Sequence, residues 1–380
     1  MSGIGINAHL LSGQAGYRRA GIHHYIEQVL THLPPDERLQ YTVFTRYAPG
    51  WSRPDMCLAS TVWPTEKRLA RILWEQVAWP LAAVRRHLDL LHSMAFVTPL
   101  WSPIPVVVTV YDLSFLYYPD RFPPLQRLYL RSQTARSCRQ ARRVVVISKS
   151  GGDDVRRCFG VPAAQIDVVS PGIDPIFQPR PAAEVAAFRR RQGLPQKFVL
   201  HVGTLQPRKN LTVLIEAMAH LKRPALPLLL VGGKGWLYDE IFARIEALEM
   251  QERVHFAGYV PDEELPLWYN AASLFVFPSL YEGFGMPVLQ AMACGTPVIA
   301  AASSAIPEAA GDAAFLFPPQ EADTLLKQML TVLDNEEVAA TMRQRGFAHV
   351  QRFSWTDAGR AMTNTYRRAL GASACLPGNQ

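Results

Sequence analysis

The stretch "LFVFPSLYEGFGMPVLQAMACGTPVIA", residues 274–300, carries the fold in its punctuation. Leu274–Phe277 is a short apolar run of strand length. Pro278–Phe284 then reads as a loop, and Met286–Ala293 as a helix. Pro287 suits the first helical turn, where a missing N–H is no loss, and Gly295 with Pro297 ends the helix. A second apolar run, Pro297–Ala300, follows at once. Strand, loop, helix and strand in that order make the β-α-β unit of a parallel sheet.

The same alternation extends along the chain. Strand-like runs occur at Val106–Val110, Val144–Ile147, Phe198–Val202 and Leu228–Val231. Segments of helical spacing lie between such runs, among them Leu211–Leu221 and Tyr238–Leu248. At 380 residues the chain is long for one core, so two α/β domains are expected. The Pro-, Ala- and Arg-rich stretch Pro171–Pro195 reads as the hinge between them. Ligands of open parallel sheets bind on loops at the carboxyl ends of strands.

Composition narrows the class. Hydrophobic residues are 49% and charged residues 19%, the balance of a soluble globular protein. No apolar run approaches the roughly 20 residues that span a bilayer, and the first residues lack the pattern of a signal peptide. The five cysteines (57, 138, 158, 294 and 375) are scattered without a C-x-x-C pair, which points to reduced thiols in the cytoplasm and away from a zinc site. Residues 1–180 hold 21 Lys and Arg against 13 Asp and Glu, a charge of +8; the remainder holds 18 against 19, and the total is +7. A membrane surface, a phosphate-bearing substrate or an Arg-rich solvated surface each fits that asymmetry. No fingerprint of nucleic-acid binding accompanies it.

Three loops carry candidate chemistry. In 278–286, Gly283 and Gly285 precede a helix start, where bare N–H groups and the helix dipole favour an anion. Glu282 lies at its rim, able to accept bonds from hydroxyls; the bland alternative is a Gly-rich turn with a solvated carboxylate. In "HVGTLQPRKN", Gly203 opens a turn, and Arg208 and Lys209 precede a helix, a pairing suited to a diphosphate. In "NAHLLSGQAGYRRAGIHHY", Gly13, Gly16 and Gly21 surround Arg18 and Arg19, but the spacing is not G-x-G-x-x-G. His23 and His24, as helix neighbours, point in different directions and make a poor metal pair. "VGGKG" at 231–235 lacks the remaining residues of a P-loop.

Seven motifs in order resemble one family. They are "VVVTVYDLSFLYYPD", "VVVISKSGGDDV", "VVSPGIDPIF", "HVGTLQPRKNL", "VHFAGYVPDEELPLWYNAA", "FVFPSLYEGFGMPVLQAMACGTPVIA" and "IPEAAGDAA". Over nearly its full length the chain is similar to the family 4 glycosyltransferases, retaining enzymes of the GT-B fold. The resemblance implies two Rossmann-like α/β domains whose parallel sheets face a central cleft: residues 1–178 on the acceptor side and 179–353 holding the nucleotide-sugar. It also implies that a C-terminal helix, 354–370, crosses back onto the first domain.

The resemblance assigns roles residue by residue. Lys209, with Arg208 beside it, stands where the family binds the diphosphate; Thr204 stands where an Arg often follows the strand glycine Gly203. Tyr259 and Val260 fall in the segment that lines the base. Glu282 matches the first Glu of the E-x₇-E signature, which holds the donor sugar. Gly283, Phe284, Gly285 and Met286 offer backbone N–H groups to sugar and phosphate, and Gly16 belongs to the N-terminal glycine loop. Gln290 replaces the second Glu, so its bond to a ribose hydroxyl is neutral and weaker. Tyr111 precedes Asp112 where the family often has a His that contacts the sugar; a phenol is a poor base at neutral pH.

The implied reaction moves a hexose from a nucleotide-sugar to a glycan or lipid-linked acceptor by front-face displacement, with no metal and no cofactor, the nucleotide-sugar being a substrate. Mannose from GDP-mannose is the expected donor. The alternatives are a weak enzyme that mainly binds nucleotide-sugars, or a GT-B epimerase or phosphorylase. Finally, "PTEKRLARILWEQVAWPL" sets Lys67, Arg68 and Arg71 among Leu69, Ile72, Leu73 and Val77. Such a basic amphipathic helix lies on an anionic membrane as a peripheral contact, or faces the core with a charged outer side.

Overall fold

The computed structural model describes residues 1–11, 21–46, 53–65, 67–121 and 123–371. The chain divides into two compact units, Met1–Gly172 with the segment from Ser354 onward, and Ile173–Phe353. The division falls ahead of the 178/179 point read from the sequence because residues 173–180 fold onto the second unit. Phe177 is buried edge-on to Tyr269 at 6.1 Å, and Asn270 bonds the Gln178 carbonyl and the Arg180 N–H at 3.0 and 2.8 Å. The presumed hinge 171–195 also contains a helix, Ala182–Gln192, with Val185 and Phe188 buried and Gly193 ending it at φ 63°. Two apolar residues three apart and a C-terminal glycine suffice for that turn of structure despite the flanking prolines.

The first unit is built on seven strands: β1 (Ser2–Asn7), β2 (Leu39–Thr45), β3 (Met56–Ser60), β4 (Leu90–Ser93), β5 (Val106–Val110), β6 (Arg143–Val146) and β7 (Ile166–Val168). Their order is β3-β2-β1-β4-β5-β6-β7, and every pair is parallel. Helices cover both faces, which is why β5 reads as an unbroken Val-rich run and all five of its residues are buried. One face packs under helix Ile22–Thr31 and under the chain's return, helix Trp355–Ala369. The returning Tyr366 is fully buried, its hydroxyl 2.9 Å from His92 Nδ1, while His92 Nε2 lies 2.8 Å from the Thr109 hydroxyl. Burial lowers the His92 pKa to about 3, so the ring is neutral and relays hydrogen bonds inside the core.

The second unit has six strands: β8 (Val199–Val202), β9 (Leu228–Val231), β10 (Val254–Gly258), β11 (Leu274–Phe277), β12 (Val298–Ala301) and β13 (Phe315–Phe317). They run in the order β10-β9-β8-β11-β12-β13, again all parallel. The chain builds outward from β8 through β9 to β10, then crosses to the other side of β8 to lay down β11. The loops after β8 and β11 therefore leave adjacent strands in opposite directions, and such a reversal opens a crevice at their carboxyl ends.

Candidate functional site

Those two loops meet. The turn after β8 is a short 3₁₀ segment, Pro207–Lys209, and the loop after β11 ends at Gly285. Backbone lacing holds them together: Leu280 N–H donates to the Arg208 carbonyl at 2.9 Å, and the Asn210 amide donates to the Pro278 carbonyl at 3.2 Å. Arg208 also donates to the Tyr281 carbonyl. The side chains then converge on one carboxylate. Lys209 Nζ lies 2.6 Å from Glu282 Oε1, and Arg208 Nη1 lies 2.7 Å from Glu282 Oε2.

All three groups are nearly removed from water, with side-chain exposures of 8% for Lys209, 10% for Arg208 and 13% for Glu282. Glu282 is therefore no solvated rim residue; it lies inside an ionic cluster. Burial by itself would raise its pKa, but Lys209 and then Arg208 outweigh that and hold it at about 2. Two cations therefore lie side by side on this one carboxylate. In a crevice of low dielectric, cations so placed attract an anion far more than they would at an open surface.

Neighbours fix the cluster. Ser304 Oγ accepts the Glu282 N–H at 2.8 Å and donates back to the Glu282 carbonyl at 3.2 Å, from a backbone held at φ 45°. Lys209 Nζ stands 4.9 Å above the Phe277 ring. His201, at the end of β8, is fully buried and stacks on Phe277 at 5.9 Å. Its Nδ1 lies 3.0 Å from the Val276 carbonyl, which makes Nδ1 the protonated nitrogen. The other nitrogen, Nε2, is a lone-pair acceptor with no hydrogen-bond partner among the described residues. Burial first and Lys209 second lower this pKa to about 3, so His201 adds no charge. Gly203 leaves room here, since a Cβ at that position would come within 3.1 Å of His201 Nε2 and 3.2 Å of Lys209 Cε. Neither His201 nor Ser304 was expected. His201 lies in an ordinary apolar strand run, and Ser304 in an unremarked "ASSA".

The remaining expected residues fall at varied places. Gly285 has φ 113° and precedes helix Met286–Ala293, so the first turn lies directly beyond the Glu282 loop. Gly283 and Met286 are half-buried there, whereas the Phe284 ring packs edge-on to Phe353 at 5.6 Å and only its backbone is on offer. Thr204 is exposed, Tyr259 is 53% exposed, and Val260 is buried, the last two following β10. Gln290 is half-buried, and its Oε1 accepts the hydroxyl of the fully buried Tyr269 at 3.0 Å. Gly16, with Gly13, Arg18 and Arg19, lies outside the described residues.

Tyr111 is a correction. Its hydroxyl donates to the Met94 carbonyl at 2.7 Å, and its ring sits edge-on to Tyr25 and Phe96 within the first unit's core. Only 5% of it is exposed, and burial pushes its pKa far upward. A phenol so placed is bonded within the core and keeps its proton. The side chain turns inward because its large ring fills the core better than it solvates.

The first unit has a crevice of its own. Its strand order reverses between β1 and β4, and a cavity of about 330 Å³ lies by Asn7, the last residue of β1, and Ala95–Val97, after β4. Glu75 lines it, 3.1 Å from the Asn7 amide and 3.9 Å from Arg71. Burial raises the Glu75 pKa against the pull of Arg71 and Asn7. No cluster of three or more metal-ligating side chains occurs among the described residues.

Comparison with known proteins adds identity to geometry. Residues 185–349 match the family described as glycosyl transferases group 1, and residues 20–177 match glycosyltransferase family 4. The O-antigen chain mannosyltransferase B of Escherichia coli is 32% identical over 69% of this chain and 70% of its own length. The D-inositol 3-phosphate glycosyltransferase of Segniliparus rotundus is 30% identical over 79% of this chain and 69% of its own. A solved sucrose-phosphate synthase from Thermosynechococcus elongatus is 25% identical and superposes with a TM-score of 0.76 over 98% of this chain and 100% of that one.

Proposed function

The chain belongs to the group 1 and family 4 glycosyltransferases of GT-B fold, and we propose that it is a retaining hexosyltransferase that takes mannose from GDP-mannose. The observation that carries the reading is the buried Arg208–Glu282–Lys209 cluster at the second unit's strand reversal. Its two adjacent cations suit a diphosphate, and its carboxylate suits sugar hydroxyls. The 32% identity to a mannosyltransferase supports the choice of sugar.

In the proposed reaction the acceptor oxygen attacks the anomeric carbon on the face the diphosphate leaves. The bond from that carbon to the phosphate oxygen breaks with its electron pair going to the phosphate. The acceptor proton passes to the departing phosphate oxygen, so no protein base is needed. Lys209 and Arg208 supply the countercharge for the growing negative charge, the role in which preorganised groups contribute most, and no metal ion is required for it. The acceptor is a glycan or a lipid-linked one, and the first unit's cavity, with Glu75, Asn7 and Arg71, has the hydrogen-bonding groups to receive it.

The test is binding and slow hydrolysis across GDP-, UDP-, ADP- and dTDP-sugars. GDP-mannose bound and slowly hydrolysed with retained configuration is the expected result, and Glu282→Ala should abolish the hydrolysis. Preference for another base would overturn the donor assignment, an inverted product the mechanism, and no binding at all the site. Gln290→Glu should tighten donor binding about fivefold to tenfold, because one carboxylate oxygen keeps the Tyr269 bond while the other accepts the ribose with charge assistance.

A further inference from the structure

Helix residues 68–85 run without a break through a π-helical turn, Trp74–Ala78. The sequence left two uses open for this segment, and the structure separates its faces. The core side carries Trp74, Trp79 and Ala83, buried against Phe44 and Leu91. The opposite side carries a second apolar row that stays largely open to solvent: Leu69, Leu73, Val77, Leu81 and Val84 are 76%, 57%, 54%, 47% and 53% exposed. Spacing of four, four, four and three residues keeps them on one stripe. Single exposed leucines are ordinary; five in a row on one helix mark a surface that is covered in use.

The charges around the stripe identify what covers it. Lys67 is exposed at one end, and Arg85 and Arg86 at the other. The only acid in residues 67–86 is Glu75, and it turns inward to Asn7 and Arg71. Beside the stripe, Gln76 Oε1 accepts the Leu100 N–H at 2.6 Å, which brings the exposed Leu100 and the 64% exposed Trp101 against the helix. An aliphatic stripe with basic ends and a flanking Trp matches the interfacial region of a bilayer. The +8 charge of residues 1–180 fixes the sign of the lipid. A protein partner would instead be met by a polar rim of both signs.

We infer that this outward face is a docking surface for an anionic lipid bilayer. The same helix lines the first unit's cavity from its other side through Arg71, Ile72 and Glu75. Docking therefore holds that cavity close to the lipid. The attachment does not depend on the transfer chemistry; only its use, to meet a lipid-linked acceptor, rests on the proposed function.

The experiment is co-sedimentation of the full chain with phosphatidylcholine vesicles, with and without phosphatidylglycerol. Binding to the anionic vesicles alone is expected, weakening as salt rises. Leu73→Glu combined with Val77→Glu should lower that binding about tenfold or more, with melting temperature and nucleotide-sugar binding unchanged because both side chains are outward. Equal binding by the double variant would overturn the surface, and equal binding to neutral vesicles would overturn the lipid charge. A wild-type dimer that ignores vesicles and is dissociated by the same substitutions would assign the face to a second copy of the chain. Nucleotide-sugar binding in the same samples reads the donor site separately, so failure of one reading does not disguise failure of the other.

Discussion

Glu282 shows what a single residue does in two currents at once. It is the carboxylate that two buried cations share, and removing it takes that common countercharge from Arg208 and Lys209. Glu282→Gln, which keeps the shape, should therefore destabilise the second unit by about 3 kcal/mol, since an uncompensated buried charge is the expensive case. The pH dependence has a definite sign. The Glu282 pKa falls from 4.5 to about 2 on folding, so its contribution is fully present above pH 4.5 and is lost as pH falls towards 2. Urea unfolding of wild type and Glu282→Gln should differ at pH 7 and converge as the pH is lowered through that window. A gap that stays constant would mean that the carboxylate is not what balances the cations. Of these residues, Lys209, Arg208 and Glu282 were legible because each sits beside a glycine turn after an apolar run. That they touch was not, because 73 residues separate Lys209 from Glu282.

At the scale of the element, the helix Met286–Ala293 depends on how it is entered. Gly285 stands at φ 113°, where side chains are strained, and a Cβ there would meet the Ala309 methyl at 3.4 Å, an ordinary contact, so the cost is one of backbone. Gly285→Ala should cost about 1–2 kcal/mol from backbone strain and weaken donor binding, because the chain before the helix start carries Glu282. Calorimetry of unfolding and donor titration on the same variant check the two effects together. An unstrained variant with full affinity would remove the turn from the site. The boundaries of this helix and of β9 and β11 were readable to the residue, since proline, glycine and apolar spacing act locally. Short edge strands such as β13, three residues long, carry too little pattern to be seen.

For the whole molecule, the decisive feature is the chain's return at Ser354. Helix Trp355–Ala369 places Trp355, Met362 and Tyr366 in the core of the first unit, and Gly172 lies so near that a Cβ there would come within 2.2 Å of the Trp355 nitrogen. Each such side chain contributes about 1.5–3 kcal/mol on burial, so a chain ending at Phe353 should lose cooperative unfolding of the first unit and expose its apolar face. Two intact transitions in calorimetry of the shortened chain would show that the return is dispensable. The sequence by itself determined the alternation of strand and helix, the parallel sheets and the loops that bear cations, glycines and Glu282, because these follow from patterns a few residues long. Only the tertiary structure decided that Arg208, Lys209 and Glu282 form one cluster, that Tyr111 turns into the core, and that the helix of residues 68–85 presents its aliphatic row outward. The reason is that periodicity says two faces of an element differ, but not which face the rest of the chain will cover. When both faces carry apolar residues, only the shape of the neighbouring core chooses between them.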